Sequence, residues 1–108
     1  MTEMNGKYIL DEEGNPVLIL DILQWARWFE TAERHVADTR LDNVRISTVF
    51  LGLDHSWGQG PPLLWETMIF GGIHDGYQAR YSTKAEAEVS HARAVSIAKG
   101  KGINVKGE

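Results

Sequence analysis

A carboxylate, an imidazole, a hydroxyl and an indole fall on four consecutive residues, Asp54-His55-Ser56-Trp57, at the head of a stretch that ends Gly58-Gln59-Gly60-Pro61-Pro62. Glycine and proline at this density build turns, and loops on a rigid scaffold are where binding and catalytic groups concentrate. Neighbouring side chains of an extended segment point to opposite sides, so Asp54, His55 and Ser56 cannot line up as orienting acid, base and nucleophile. Two uses of the loop remain. Asp54 and His55 could serve a small hydrolase as an acid–base pair. Without any reaction, the Asp54 to Pro62 loop and the adjacent strand ends would be a recognition surface for a protein partner, with Asp54 and His55 among its binding residues and Trp57 and Trp65 as its anchors. The plain alternative is that Asp54 only builds a turn and Trp57 folds back over the sheet edge.

A second group of candidates lies further along. Arg80, Tyr81, His91 and Arg93 have the donors to hold a small anionic ligand such as a nucleotide, if folding brings them to one cleft. The glycines give no support to a phosphate cradle, because neither G-x-G-x-x-G nor G-x-x-x-x-G-K-S/T occurs. A metal site is not expected either. His35, His55, His74 and His91 have no helical His pair among them, and the reading below puts His55 and His74 at opposite ends of a strand pair, roughly 25 Å apart. The expectation is no metal and no cofactor.

Composition narrows the classes further. Cysteine is absent, which removes disulfides, thiolate catalysis and cysteine-based metal centres. The net charge of −4 gives no general attraction to nucleic-acid phosphates. The first residues, Met1-Thr2-Glu3-Met4-Asn5-Gly6, lack the pattern of a secretory signal, and no apolar run reaches the roughly 20 residues of a membrane span, so a cytoplasmic protein is expected. With 108 residues, 43% of them hydrophobic, the chain reads as one domain over 1–108, with flexible termini at 1–6 and 101–108.

The elements that must position these candidates follow from periodicity. Lys7 to Leu10 and Val17 to Leu20, separated by the turn-rich Asp11-Glu12-Glu13-Gly14-Asn15-Pro16, read as a hairpin. Asp21 then caps a helix whose stripe is Ile22, Trp25, Phe29, Ala32 and Val36, with Asp38 to Asn43 as the polar connection after it. Val44 to Leu53 and Leu63 to Phe70 are the two long strands, joined by the loop that carries Trp57. Asp75-Gly76 is a tight turn into a third, shorter strand, Tyr77 to Tyr81. Thr83-x-x-Glu86 is a capping box for a last helix, with Ala85, Val89, Ala92 and Val95 along one face, Ala87, Ala94 and Ala98 beside it so that the helix can approach the sheet closely, and Gly100 as terminator. The expected fold is therefore α+β, an antiparallel sheet of about five strands in the order β-β-α-β-β-β-α covered by two amphipathic helices.

The segment Ile46-Ser47-Thr48-Val49-Phe50-Leu51-Gly52-Leu53-Asp54-His55, followed by Gly60-Pro61-Pro62-Leu63-Leu64-Trp65-Glu66-Thr67-Met68-Ile69-Phe70-Gly71-Gly72, resembles small uncharacterised proteins encoded by bacteriophages and prophages. Trp28-Phe29-Glu30-Thr31 and Arg80-Tyr81-Ser82-Thr83, with Glu86, Glu88 and His91, extend the likeness over most of the chain. That family carries no assigned activity, so the resemblance implies a context and no residue roles. The context it implies is that of a non-enzymatic protein that interacts with or inhibits a host or phage protein, including one of a defence system. The alternative is a module that sequesters a small ligand or nucleotide; a homo-oligomer is compatible with either.

Overall fold

The computed structural model describes residues 6–56 and 60–100. It runs β1 (Lys7–Leu10), β2 (Pro16–Ile19), α1 (Ile22–Thr31), β3 (His35–Leu41), β4 (Val44–Phe50), β5 (Trp65–Phe70), β6 (Gln78–Tyr81) and α2 (Lys84–Ala98). Trp57 and, apart from Gly6, the termini expected to be flexible lie outside the described residues. The α+β class is as the sequence reads, antiparallel strands with two helices packed on them. The strands form two sheets, a β1–β2 hairpin and a four-stranded sheet of order β3-β4-β5-β6.

One strand is new. The first helix stops at Thr31, Ala32 is already extended (φ −75°, ψ 145°), and His35 to Leu41 pairs antiparallel with β4. Val36, expected on the helix stripe, packs against the core from β3 instead. The physical reason is the free edge of β4, whose ladder of unpaired peptide groups gains more from a strand than from another helical turn. The change of direction is tied down by Arg34: its carbonyl accepts from Phe50 N (2.8 Å), its Nη1 donates to Phe50 O (2.9 Å), and its guanidinium lies 4.0 Å from the Phe29 ring centre. The supposed polar connection is thus the solvent side of a strand. Asp38 and Arg40 are exposed while Thr39 and Leu41 are turned inward, and the tight turn to β4 has Asp42 at φ 52°, a region Asp tolerates.

The two long segments do lie side by side, from Arg45 opposite Phe70 to Phe50 opposite Trp65. One end carries the Asp54–Pro62 loop and the other the turn before β6. Of Asp75 and Gly76 only Gly76 has positive φ; Asp75 contributes its carboxylate, which accepts from Gly71 N at 2.7 Å. Gly71 itself is irreplaceable on steric grounds, because at φ 91° a Cβ would collide with the Asn43 carbonyl oxygen.

Helix α2 lies across one face of the four-stranded sheet. Trp65, Thr67 and Ile69 of β5 alternate with exposed or half-buried residues, Ile46, Thr48 and Phe50 of β4 alternate with half-buried Arg45 and Val49 and with Ser47, which is buried on the other face, and all of these inward residues are buried. The helix meets them with Ala87, His91 and Ala94. The expected line of Ala85, Val89 and Ala92 is instead exposed, Val89 at 63%. Two alanines let the helix backbone come close to a sheet face already filled by Phe50, Trp65, Ile46 and Ile69. Thr83 caps α2 as expected, accepting from Glu86 N while the Glu86 carboxylate accepts from Thr83 N.

The hairpin joins the rest of the molecule along a short backbone seam, where Tyr8 N donates to Gly52 O (2.8 Å) and Asp54 N donates to Gly6 O (3.0 Å). Helix α1 is tied to the same place. Trp25 Nε1 donates to Gly52 O (3.0 Å), and at φ 78° the α-carbon of Gly52 faces the Phe29 ring so closely that any side chain would displace it.

Candidate functional site

The Asp54 carboxylate accepts from Ser56 N (2.8 Å) and from Leu63 N (3.0 Å), while His55 N donates to Leu63 O (3.0 Å). Asp54 is therefore the clasp that closes the loop base on itself. Partial burial pushes its pKa up, but the Ser56 and Leu63 hydrogen bonds and the nearby His55 outweigh that, leaving the carboxyl below its ordinary value. A carboxylate held this way is a weak base with its lone pairs already engaged.

Trp65 belongs to the core. It is 2% exposed, its ring centre lies 5.2 Å from that of Phe50, and it packs in one cluster with Leu64 and Ala87. No partner can reach it without unfolding the sheet, which corrects its expected place on a recognition surface. Odd offsets from Trp65 put Glu66, Met68 and Phe70 on the opposite, open face, and burial alternates accordingly.

Arg80, Tyr81, His91 and Arg93 do not converge. Arg80 points to the open face of the sheet and pairs with Glu66 (3.0 Å), which also accepts from Gln78 Nε2. Tyr81, next along β6, turns to the other face and packs against the core; its hydroxyl is buried without a hydrogen-bond partner. His91 is 7% exposed beneath α2, with Nε2 2.9 Å from Thr39 Oγ1 and Nδ1 2.7 Å from Thr48 Oγ1, and Thr48 continues the chain to Thr67. Burial drives its pKa down, opposed by the charge of Asp38. Hydroxyls donate or accept, so this network suits the neutral ring. Arg93 is exposed.

Arg80 and Tyr81 do border one open groove of about 510 Å³ between β6 and the first turns of α2, together with Leu63, Ser82 and Glu86. Its polar groups are largely spent, since Glu86 accepts from Ser82 N and Thr83 N. On the open sheet face, Arg45 holds Asp38 through two hydrogen bonds (3.1 and 2.9 Å), its Nη2 is 3.3 Å from His35 Nε2, and the guanidinium lies over Phe70. This face carries paired charges rather than a field of one sign. Among the described residues, no group of three His, Asp or Glu side chains is placed to hold a metal ion.

The surface that sequence reasoning missed is apolar. Val17 (39% exposed), Leu18 (52%), Leu20 (92%), Ile22 (58%) and Leu23 (62%) form one stretch along the edge of β2 and into the first turn of α1. The carboxylate of Asp21, in its midst, is turned onto Leu23 N and Gln24 N as the helix cap. A signal was available: Val17-Leu18-Ile19-Leu20-Asp21-Ile22-Leu23 is almost unbroken apolar sequence, more than a hairpin strand and one helix face can bury. No helix among the described residues is long and apolar enough to cross a membrane.

No protein-family model matches the chain, and neither does a curated protein or a solved structure.

Proposed function

We propose that this chain is a non-enzymatic interaction protein of the small phage-encoded kind, which binds a protein through the apolar stretch from Val17 to Leu23. The observation that carries this reading is the exposure of Leu18, Leu20, Ile22 and Leu23 in one place. Apolar patches of this extent on a folded domain mark sites that another surface covers. The resemblance of the 46–72 segment to phage and prophage proteins supports a bacterial setting, with a host or phage protein, including a defence enzyme, as partner. The engagement of Asp54 by two backbone amides speaks against the Asp54/His55 hydrolase.

The test is capture of partners from bacterial cells with the unaltered chain and with Leu20→Glu plus Leu23→Glu. Both altered side chains are largely in solvent, so the circular dichroism spectrum stays unchanged. A protein retained by the first and lost by the second supports the reading; equal recovery with both rules it out.

A second reading has one observation in its favour, the open groove of about 510 Å³ between β6 and α2, bordered by Leu63, Tyr81, Ala85 and Val89. A ligand there would be uncharged rather than a phosphate, because Arg80 is already paired and Glu86 brings negative charge. A ligand present at a hundred times its dissociation constant adds about 2.7 kcal/mol of stability, so a thermal-shift series of nucleotides against neutral heterocycles separates the cases.

A further inference from the structure

Building on the apolar stretch as a binding surface, we infer that in the free protein its occupant is a second copy of this chain, paired antiparallel through β2 with Leu18 opposite Leu18. The backbone directions fix the free edge. Tyr8 N donates away from β2, to Gly52 O, and Gly6 O accepts from Asp54 N on that same side. Tyr8 stands opposite Leu18 in the hairpin register. The pair is therefore of the non-hydrogen-bonded kind, and the N–H and C=O of Leu18 point outward from β2.

By the same alternation the outward row consists of the Pro16 carbonyl, both groups of Leu18, and both groups of Leu20. A two-fold axis through Leu18 matches this row to itself. Each Leu18 N–H meets the other copy's Leu18 carbonyl, and each Leu20 N–H meets a Pro16 carbonyl. The donor that Pro16 lacks falls opposite the Leu20 carbonyl at the outer end of the ladder. Every outward donor of the row thus finds an acceptor.

The side chains agree with this arrangement. No charged residue stands between Glu13 and Asp21, so two β2 edges meet without like charges, and Asp21 comes opposite neutral Asn15. The edge has none of the lysines or inward charges that keep exposed strands apart. An axis perpendicular to the joined sheet leaves both α1 helices on one face, with Ile22 and Leu23 of the two copies at opposite ends of the ladder, roughly 25 Å apart along the strands. Leu18 and Leu20, the residues nearest the axis, are 52% and 92% exposed, so pairing gives each copy apolar side chains to bury beside the ladder.

The experiment is sedimentation equilibrium of the full chain up to about 100 µM, with a cross-linking arm that exploits the absence of cysteine. The expected result is a dimer whose dissociation constant rises at least about tenfold with Leu20→Glu. Leu18→Cys should form a disulfide-linked dimer under mild oxidation, because opposed residues of a hydrogen-bonded antiparallel pair have Cα atoms about 5.5 Å apart, within disulfide range. Val89→Cys, 63% exposed on α2, should stay uncross-linked. A monomer mass at every concentration overturns the inference, and so does a dimer that ignores Leu20→Glu or gives no Leu18→Cys bridge. A monomer that still captures another protein, and loses it with Leu20→Glu plus Leu23→Glu, overturns the second copy while the interaction reading stands.

Discussion

The two helices of this molecule invert what their sequences advertise. Helix α1 carries large apolar residues at helical spacing, Ile22, Trp25, Phe29, yet none of its residues is fully buried. Helix α2 is dominated by alanine and charge, and it buries Ala87, His91 and Ala94 against the sheet. The difference lies in what each helix faces. Below α2 is a four-stranded sheet with a filled inner side; below α1 is a two-stranded hairpin, which is too narrow to cover a helix. Amphipathicity says that a face needs a cover. It does not say that the same chain supplies one.

The sharpest way to break this contrast is to cut matched residues in the two regions. Phe50→Ala, at a fully buried site beneath α2, should cost about 3–5 kcal/mol in urea unfolding, whereas Leu20→Ser, 92% exposed in the single chain, should change stability by less than about 0.5 kcal/mol when unfolding is followed at a dilution where the chain is monomeric. Equal losses at that dilution would mean that the β2–α1 stretch is covered within the single chain. Next in size is backbone strain. Gly71→Ala, at φ 91° with the Asn43 carbonyl in the way, should lose about 2–3 kcal/mol, while Gly14→Ala, at φ 87° in open space, should lose about 1 kcal/mol. Similar values for the two would show that the turn at Gly71 yields more easily than its packing suggests.

Smaller again are the caps. Thr83→Ala should cost about 1 kcal/mol of global stability, measured by the urea midpoint. Asp21→Ala should show its loss mainly as faster amide hydrogen exchange within α1, because that helix opens before the sheet does. A global loss as large as that of Thr83→Ala would make α1 part of the same cooperative unit.

The smallest effect concerns pH. His91 has a lowered pKa in the folded chain, through burial first, so below about pH 6.5 the unfolded state takes up a proton that the folded state resists. Stability from this source is complete above about pH 6.5 and declines as pH falls from there toward the folded value. The lowered carboxylates of Asp38 and Asp54 lose their contributions only at more acid pH, below the ordinary carboxylate range. A His91→Gln variant should lack the first step of the pH–stability curve and keep the second. Retention of the first step would move its origin away from His91.

Much of the fold is readable from local chemistry. The Asp21 and Thr83 caps, the stop at Gly100 and the pairing of the two long strands each depend on residues a few positions apart, or on apolar alternation strong enough to need no context. The candidate site is another matter. Asp54 was legible as a turn former, and its hydrogen bonds to Ser56 and Leu63 bear that out; Trp65 and His91 looked available and are buried. Their burial depends on which face of the sheet receives α2, and no residue near them in sequence encodes that choice.

What the sequence alone determined is the set of elements whose ends and faces are settled by short-range contacts. Tertiary structure decided the rest: that His35 to Leu41 is a strand and not the tail of a helix, that Ala87, His91 and Ala94 are the inner face of α2, and that Val17 to Leu23 is left uncovered. The physical reason is common to all three. An edge of unpaired peptide groups, or an apolar face, is satisfied by whichever surface folding brings beside it, and that surface comes from residues distant in the chain.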